Sequence, residues 1–382
     1  MVARVSESSR RCALTRAESH RVPNASAVLH YSAFTGDDAQ RLLRAEAFRA
    51  EWRALHAACP WATAFQNTPF TDAWWDSYGD VFDPLLLTAR DTSGALAGVF
   101  MLARERSSGR VTPVGAHHAE YHAWLATPTC GDAFMHGALA PLREELGVRH
   151  LRLHFLAPNA PLGWTAHARG PFAPLVLMAT HRRGLRALDA GVRDTEALRR
   201  KSTRSKLARL RRAGDVSYAT VTTLQEFERW LPQIMAQTDA RHGTASSPGP
   251  FAGDPRKARF YRRLMQESAL MHCGVLVRGD QLLASHTGWI DRGALGLGLI
   301  TFDATEQEHS PGTLVLHMVA QDVATRGVET FDLTPGGAYK QRFATHEDVV
   351  HTLDLLLDSR RALRAGVTST ARKLAKRLLG RG

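Results

Sequence analysis

The sequence predicts a mixed α/β protein of two domains. The chain has 382 residues, more than a typical single domain. Its apolar content of 44% is enough for a substantial core. Short apolar runs typical of strands alternate with segments of helical periodicity along most of the chain, which favours a mixed α/β architecture.

The composition narrows the class of partner. The net charge of +12 favours an anionic partner, which could be nucleic acid, anionic lipid, or a phosphorylated substrate or cofactor. The four cysteines are scattered and form no C-x-x-C pair, so we expect neither a zinc site nor a disulfide framework, and no metal. This cysteine usage is typical of a cytoplasmic protein. No apolar run reaches the roughly 20 residues of a membrane span.

Residues 1–36 are rich in arginine and have no apolar core, so they do not resemble a secretory signal. We expect a disordered basic leader there. The first domain is expected over residues 37–190. Its predicted helices cover residues 37–57, 71–78 and about 134–146, and its predicted strands cover 85–89, 96–103, 150–156, 175–181 and 185–188.

The second domain is expected over residues 191–358. A basic helix over 197–212 ends near Gly214. Further helices are predicted over 224–239 and 255–268, and strands over 271–278, 281–290, 294–300 and 330–333. Residues 359–382 carry one apolar stripe among many basic residues, which predicts a basic amphipathic helix.

The turn Ser310-Pro311-Gly312-Thr313 lies between two predicted strands and opens a predicted helix. Pro311 suits the first helical turn, and Gly312 permits close approach of a ligand. The free N–H groups of a first turn attract anions such as phosphate. The alternative is a simple N-cap made by Ser310. The surrounding pattern favours a ligand site.

Three segments occur in a characteristic order: residues 283–287, the turn at 310–314, and the run from Phe331-Asp332 through Tyr339-Lys340 to Phe343. Together they resemble the GNAT acetyltransferase superfamily, and more narrowly its FemAB-like branch, the BioF2-like or CelD-like acetyltransferase domain, over residues 198–343. In that group a Ser-Pro-Gly turn takes the place of the glycine-rich acyl-CoA loop. The common pattern R/Q-x-x-G-x-G/A is absent here.

The resemblance implies two GNAT-like domains, each a mixed, mostly antiparallel sheet flanked by helices. It also implies an N-acyltransferase that moves an acyl group, expected to be acetyl, from acyl-CoA to an amine. The expected acceptor is an amino sugar or amino compound of cell-envelope or exopolysaccharide biosynthesis, and acyl-CoA is a co-substrate rather than a bound cofactor. Two alternatives remain open: a FemAB-type aminoacyl-tRNA-dependent ligase of peptidoglycan precursors, and a non-catalytic GNAT-fold scaffold in polysaccharide assembly.

Three residues are candidates for catalysis. His286, on a central predicted strand, could accept a proton near neutral pH, although a core histidine is the alternative. Asp303, just beyond a strand, is a candidate general base, and a turn aspartate is the alternative. The resemblance implies that Tyr339 donates a proton to the leaving thiolate; a structural tyrosine is the alternative.

Three cations are candidates for substrate binding. Lys340 could bind a phosphate or stabilise charge on the acyl oxygen. Arg342 belongs to the same polar cluster. Arg241 could face the acceptor, while a favourable cation at a helix C-terminus is the alternative.

Two basic segments and one histidine-rich loop could also contact a ligand or partner. The helix over 197–212 could contact RNA, or it is a solvated face. The segment 359–382 could touch an anionic membrane at its inner face, or pack on the first domain. The loop with His117, His118, Glu120 and His122 lacks the H-E-x-x-H spacing of a metal site, so we expect a polar loop lining the cleft between the domains.

Overall fold

The computed structural model of the chain describes residues 28–167, 174–189, 192–244, 248–266 and 270–358. Residues 1–27 of the predicted leader and the predicted C-terminal helix over 359–382 lie outside these ranges. Within them the protein forms two sheets with helices packed on both. The predicted mixed α/β fold is confirmed.

The first half of the chain contributes seven strands and five helices. The strands are β1 His30–Thr35, β2 Phe82–Arg90, β3 Leu96–Glu105, β4 Val111–Pro113, β5 Leu125–Ala126, β6 His150–Leu156 and β7 Leu175–Ala187. The helices are α1 Gly36–Arg44, α2 Glu46–Ala58, α3 Thr68–Tyr78, α4 Gly131–Glu144 and α5 Trp164–His167. The sequence explains the start of α3, where the Asn67 side chain accepts a hydrogen bond from the Phe70 N–H and Pro69 occupies the first turn.

The second half contributes the remaining elements. They are α6 Val192–Arg199, α7 Lys201–Arg212, β8 Val216–Val221, α8 Leu224–His242, α9 Arg256–Gln266, β9 Met271–Arg278, β10 Gln281–Asp291, β11 Ala294–Phe302, α10 Pro311–Thr325, β12 Thr330–Pro335 and β13 His346–Leu356. Short 3-10 turns precede α10 at Ala304–His309 and follow β12 at Ala338–Arg342.

The smaller sheet is antiparallel, with strand order β1-β2-β3-β4 and with β5 also paired to β3. The larger sheet has the order β6-β13-β7-β12-β11-β10-β9-β8. All of its pairs are antiparallel except β11 with β12, which is parallel. The expectation of mixed, mostly antiparallel pairing is therefore confirmed for this sheet.

The division of strands between the two sheets does not follow the two halves of the sequence. β6 and β7 precede residue 190 but belong to the larger sheet, where β7 lies between β12 and β13. The first half of the chain therefore builds part of the second sheet. The domain boundary near residue 190 stays a prediction.

Several elements differ from the predicted ones. The expected helix over 37–57 is two helices, because Ala45 takes an extended conformation between α1 and α2. The basic helix is likewise divided at Arg200. The two strands expected over 175–188 form the single strand β7. Residues 30–35, expected to belong to a disordered leader, form β1 and pair with β2 along its length.

The two halves pack together through aromatic residues. The Phe65 and Trp289 ring centroids lie 4.8 Å apart, and those of Phe70 and Phe260 lie 5.5 Å apart. The contact between Phe70 and Phe260 joins helices α3 and α9. One apolar core extends from the smaller sheet to β9 and α8. Burial of such large rings makes the interface between the two halves apolar and rigid.

Candidate active site

The larger sheet opens between β11 and β12. These parallel strands pair only through residues 294–296 and 330–332, although β11 continues to Phe302 and β12 to Pro335. Helix α10, which connects them, begins near the open end. The separation leaves backbone groups of both strands free of each other, and a ligand can therefore reach into the sheet.

A β-bulge lies at the edge of this opening. Thr287 pairs with Leu299 and Trp289 pairs with Gly296, so Gly288 of β10 faces two residues of β11, one of which is Gly298. Gly298 is exposed, and a Cβ atom there would lie 2.3 Å from the Thr287 carbonyl oxygen. Only glycine fits this approach, and the bulge leaves part of the β11 backbone without a strand partner.

The turn before α10 has an unusual conformation at Ser310, whose φ is 52° and ψ is 50°. The Ser310 hydroxyl makes no hydrogen bond to the helix; instead it accepts one from Lys206 Nζ at 2.8 Å. The alternative of a simple serine N-cap is therefore wrong. A left-handed serine costs about 1 kcal/mol, so the surrounding structure holds it in place.

The turn offers fewer free N–H groups than expected. Ser310 N–H donates to the Gln307 carbonyl and Thr313 N–H donates to the Ser310 carbonyl, each at 3.0 Å. Pro311 has no N–H. Within the described residues, the Gly312 N–H alone among these four positions has no acceptor. An anion at this turn would therefore meet the Gly312 N–H together with the nearby Lys206 charge.

A cavity of about 340 Å³, which we call the donor cavity, lies at this turn. It brings together several of the predicted residues, and its lining is Arg241, Ile300, Phe302, Gln307, Ser310, Pro311, Gly312, Thr313, Leu316, Tyr339 and Phe343. The Arg241 guanidinium lies over the Phe302 ring, 5.1 Å from its centroid. Arginine, tyrosine and the start of α10 thus converge on one space.

Tyr339 is 43% exposed. Partial burial raises the pKa of its hydroxyl above the usual value, while the Arg241 charge opposes that shift. The hydroxyl therefore keeps its proton at neutral pH and can serve as a proton donor.

A second cavity of about 220 Å³, which we call the cleft cavity, lies between the two halves of the chain. Its lining is Phe65, Phe70, His117, His118, Glu120, Lys257, Phe260, Tyr261, Leu264, Leu270, Met271, Thr287, Gly288, Trp289, Gly298 and Leu299. Gly298 and Leu299 line this cavity, and Ile300 and Phe302 line the donor cavity. Consecutive residues of β11, at and just after the bulge, therefore line the two cavities, which share no lining residue.

Glu120 is the carboxylate of the cleft cavity. Burial raises its pKa to about 7, with Asp332 adding to the shift and with Lys340 and the Thr334 hydroxyl opposing it. A carboxyl group that titrates near neutral pH is suited to accept a proton from a substrate. The sequence predicts that Glu120 lies in the loop lining the cleft but indicates no chemical role for it, because a single glutamate among histidines leaves no spacing signal.

Hydrogen bonds fix the segment that carries Glu120. His122 Nδ1 accepts a hydrogen bond from the His154 N–H at 3.1 Å, so its Nε2 carries the proton and donates to the Ala116 carbonyl at 3.2 Å. Burial lowers the pKa of His122 to about 4, which keeps the ring neutral. The loop is thereby tied to β6, and it lines the cleft as expected.

Lys340, whose charge opposes the rise in the pKa of Glu120, is held by oxygen atoms at the end of β12. Its Nζ atom lies 2.7 Å from Thr334 Oγ1, 3.2 Å from the Pro335 carbonyl oxygen and 3.4 Å from the Thr334 carbonyl oxygen. Thr334 has a φ of 57°, which is rare for a β-branched residue. The Lys340 ammonium group thus faces three protein oxygens. Direct binding of a substrate phosphate by Lys340 stays a prediction.

Asp332 anchors this polar group. It accepts hydrogen bonds from the Tyr121 hydroxyl at 2.7 Å, from the Thr334 N–H at 2.8 Å and from Arg183 Nη1 at 3.2 Å. Burial raises the pKa of Asp332, and the Arg183 guanidinium opposes that shift. The aspartate of the Phe331-Asp332 motif therefore connects the cleft loop to both β12 and β7.

The structure does not bring the remaining candidates into these cavities. His286 is fully buried in β10, and neither ring nitrogen has a hydrogen-bond partner among the described residues. Burial, with the nearby His272, puts the pKa of His286 well below its usual value. A neutral histidine without access to the donor or cleft cavity is placed as a core residue.

Asp303 lines a neighbouring cavity, which shares Arg241, Phe302 and Gln307 with the donor cavity. Its carboxylate accepts hydrogen bonds from the Thr305 N–H and hydroxyl and from Gln281 Nε2. Partial burial would raise its pKa, but these hydrogen bonds hold it below the usual value. This placement is the turn aspartate of the alternative interpretation. Arg342 is exposed at the end of the 3-10 turn after β12.

Among the residues that the structure describes, no group of three His, Cys, Asp or Glu side chains could hold a metal ion. Over those same residues, no helix combines the length and the apolar character needed to cross a bilayer.

Residues 197–343 match the family model described as an acetyltransferase (GNAT) domain. The chain therefore carries a domain of the GNAT acetyltransferase superfamily, and the resemblance seen in the sequence is confirmed. No curated protein matches the chain.

Two solved structures illustrate the likeness of the fold. FemX is 9% identical, with a TM-score of 0.52, and the match covers 80% of this chain and 95% of FemX. The C-terminal domain (DUF2156) of a putative lysylphosphatidylglycerol synthetase from Agrobacterium fabrum is 14% identical, with a TM-score of 0.50, and the match covers 78% of this chain and 95% of that domain. At these identities the likeness is one of fold, and it agrees with the FemAB-like branch.

Proposed function

We propose that this protein is an N-acyltransferase that moves an acyl group, in the simplest case acetyl, from acyl-CoA to an amine. The observation that carries the proposal is that consecutive residues of β11 line the two cavities. One cavity begins at the start of α10, and the other contains a carboxyl group with a pKa near 7. A donor and an acceptor in these cavities would meet at the bulge.

The donor cavity would hold the acyl-CoA co-substrate. The Gly312 N–H, the Lys206 ammonium and the Arg241 guanidinium are cationic or N–H donor groups suited to the pyrophosphate. The separation of β11 from β12 gives the pantetheine arm a path into the sheet. Backbone N–H groups left unpaired at the bulge could then donate to the thioester carbonyl oxygen.

The cleft cavity would hold the acceptor amine. In the reaction, the neutral amine nitrogen attacks the thioester carbonyl carbon, so that a C–N bond forms and negative charge develops on the carbonyl oxygen. Glu120 takes the proton that the nitrogen loses. The C–S bond then breaks, and the departing thiolate receives a proton from the Tyr339 hydroxyl. The products are an amide and free coenzyme A.

Five aromatic residues, Trp289, Phe65 and Tyr261 among them, line the cleft cavity beside polar groups such as Glu120 and Lys257. This lining supports a ring-bearing acceptor. We therefore propose an amino sugar or a similar amino compound of envelope or exopolysaccharide biosynthesis, in the cytoplasm. Contact of residues 359–382 with the inner face of an anionic membrane remains a prediction from the sequence.

A second candidate donor is an aminoacyl-tRNA, as in a FemAB-type ligase of peptidoglycan precursors. The observation that favours it is helix α7, which reaches the donor turn through Lys206. Its exposed residues include Lys201, Arg204, Arg209, Arg211 and Arg212, and the helix has no acidic residue. Such a basic helix beside a donor site is suited to the phosphates of a nucleic acid.

Calorimetric titration separates these functions. Saturable binding of acetyl-CoA, with release of free thiol when glucosamine is added, supports the N-acyltransferase. Binding of aminoacyl-tRNA without binding of acetyl-CoA supports the ligase. If neither donor binds, the enzyme proposals fail, and a non-catalytic scaffold is the remaining function.

A further inference from the structure

A third cavity, of about 530 Å³, lies on the first half of the chain. We call it the histidine groove and define it by six of its lining residues: Arg110, His117, Glu120, His150, Arg152 and His154. It is formed where β4 and the loop after it face β6. Two guanidinium groups and three imidazole rings therefore surround one space.

The two arginines of the groove keep most of their hydrogen-bonding capacity. Their side chains are exposed, 55% for Arg110 and 60% for Arg152. Each has one carboxylate nearby, but the closest approaches are 3.7 Å from Arg110 Nε to Glu105 and 3.9 Å from Arg152 Nη1 to Asp354. These distances are too long for hydrogen bonds, and exposed pairs of this kind contribute little.

Histidine rings line the same space. His150 Nε2 lies 2.9 Å from Asp354 and is therefore already paired with that carboxylate. The pKa of His154 is lowered, first by burial and then by the charges of Arg152 and His181. The ring is consequently neutral at pH 7, and its hydrogen bond to the Glu120 backbone opposes the shift.

The groove continues into the cleft cavity. Glu120 and His117 line both of them. An acceptor whose amine lies against Glu120 can therefore extend a second group toward Arg110 and Arg152. The cleft cavity has one cationic side chain, Lys257, among its other lining residues, whereas the groove brings two guanidinium groups together.

We propose that the histidine groove binds an anionic group, a phosphate or a carboxylate, of the acceptor. The acceptor is then an amine that carries a negative charge, rather than a neutral amino sugar or a cationic peptide tail. Planar guanidinium groups bind both oxyanions through paired hydrogen bonds, and the exposed His117 ring lies in the same groove. This inference rests on the proposed function for the identity of the acceptor site, but not for the binding of the anion.

The test observes the groove directly. The full chain is prepared with ring-labelled histidine, and the signals of His117, His150 and His154 are assigned from single His→Gln variants. Inorganic phosphate and acetate are then titrated separately and followed by NMR. His309 and His317, close to the donor turn, report any phosphate bound there instead.

We expect saturable shifts of the His150 and His154 signals with at least one of the two anions. The anion that binds more tightly identifies the acceptor group as phosphate or carboxylate. In the double variant R110Q/R152Q the affinity should fall at least about tenfold. The matched variant R143Q, which removes an exposed arginine on α4, should keep the wild-type affinity.

The inference is overturned if neither anion moves the groove signals, if the double variant binds as tightly as the wild type, or if R143Q weakens binding equally. None of these results depends on a donor or on turnover. Loss of acetyl-CoA binding would refute the proposed function and leave the groove result standing. If acetyl-CoA binds but neither anion binds in the groove, the proposed transferase stands and the inference of an anionic acceptor fails.

Discussion

Glu120 and Asp303 are two carboxylates near the same strand with opposite surroundings. Burial raises the pKa of Glu120 to about 7, whereas hydrogen bonds from Thr305 and Gln281 hold the pKa of Asp303 below its usual value despite partial burial. A base must be able to accept a proton near the working pH. Of these two residues, Glu120 meets that requirement.

The variant E120Q tests this assignment. We expect kcat to fall about 100-fold or more, because the amine proton loses its acceptor. In the wild type, kcat/KM should fall as the pH drops below about 7, where Glu120 becomes protonated, and this part of the profile should vanish in the variant. Steady-state rates between pH 5.5 and 9 provide the measurement.

Stability supplies the control for E120Q. A raised carboxyl pKa favours the folded state below the unfolded pKa of about 4.5, and this contribution is lost as the pH rises through about 7. The neutral glutamine removes the cost of burying a charge, so the variant should melt no lower than the wild type at pH 8. A clear drop in melting temperature would mean that lost activity reflects damage to the fold.

Tyr339 is tested by Y339F. If its hydroxyl protonates the thiolate, kcat should fall about tenfold while the dissociation constant of acetyl-CoA changes little, because the ring and its packing remain. Calorimetry and initial rates measure the two quantities separately. Turnover equal to that of the wild type would remove the proton-donor role.

Some site residues were predictable from the sequence and others were not. A turn, a helix end and a closing motif carry local sequence signals, so their residues could be predicted. These residues, which line one cavity, are Arg241, Ser310, Gly312 and Tyr339. The burial of His286 and the environment of Glu120 depend on strands and loops distant in sequence. No local pattern reports them.

At the scale of elements, the start of α10 is the central feature. A Cβ atom at Gly312 would lie 3.2 Å from the Phe302 ring, so the position is tight but not closed. Ser310 holds the turn open in a left-handed conformation and is fixed by Lys206. Among the described residues, the Gly312 N–H has no acceptor.

The pair of variants G312A and G312E separates crowding from charge. G312A should weaken acetyl-CoA binding slightly, since a methyl group displaces the Phe302 ring by a few tenths of an ångström. G312E should weaken it at least about tenfold, because a carboxylate then faces the pyrophosphate. Equal binding by G312E and the wild type, measured by calorimetry, would contradict a phosphate site at this turn.

Elements were predicted well where periodicity was continuous, as for β6, β9 and α10. The breaks at Ala45 and Arg200 were missed, because neither residue is a glycine or a proline and helical periodicity runs through both. The strand β13 was also not predicted. Its place depends on pairing with β6 and β7, about 200 and 170 residues earlier.

At the scale of the whole molecule, the two halves are joined by more than an interface. β7 lies between β12 and β13, so residues before 190 hold strands from the end of the chain in one sheet. Arg256 pairs with Asp80 at 2.7 Å, and the Tyr78 hydroxyl donates to Asp254 at 2.7 Å across the halves. The cleft cavity depends on this arrangement.

A truncated protein of residues 191–358 should therefore be insoluble or unfolded when expressed alone. Removing β7 exposes the edges of β12 and β13 and leaves β13 without either neighbour. Coexpression of residues 28–190 should restore solubility, and residues 28–358 as one chain provide the control. A soluble fragment of residues 191–358 with a cooperative melting transition would contradict this prediction.

The position of β13 also bears on how the protein is made. Residues 30–126 contain all five strands of the smaller sheet, so that sheet can form while synthesis continues. The larger sheet must wait until residue 356 has left the ribosome, because β13 supplies the partner of β6. Until then β6 and β7 present unpaired edges on the nascent chain, and slow translation of the second half would prolong the period in which chaperones are needed.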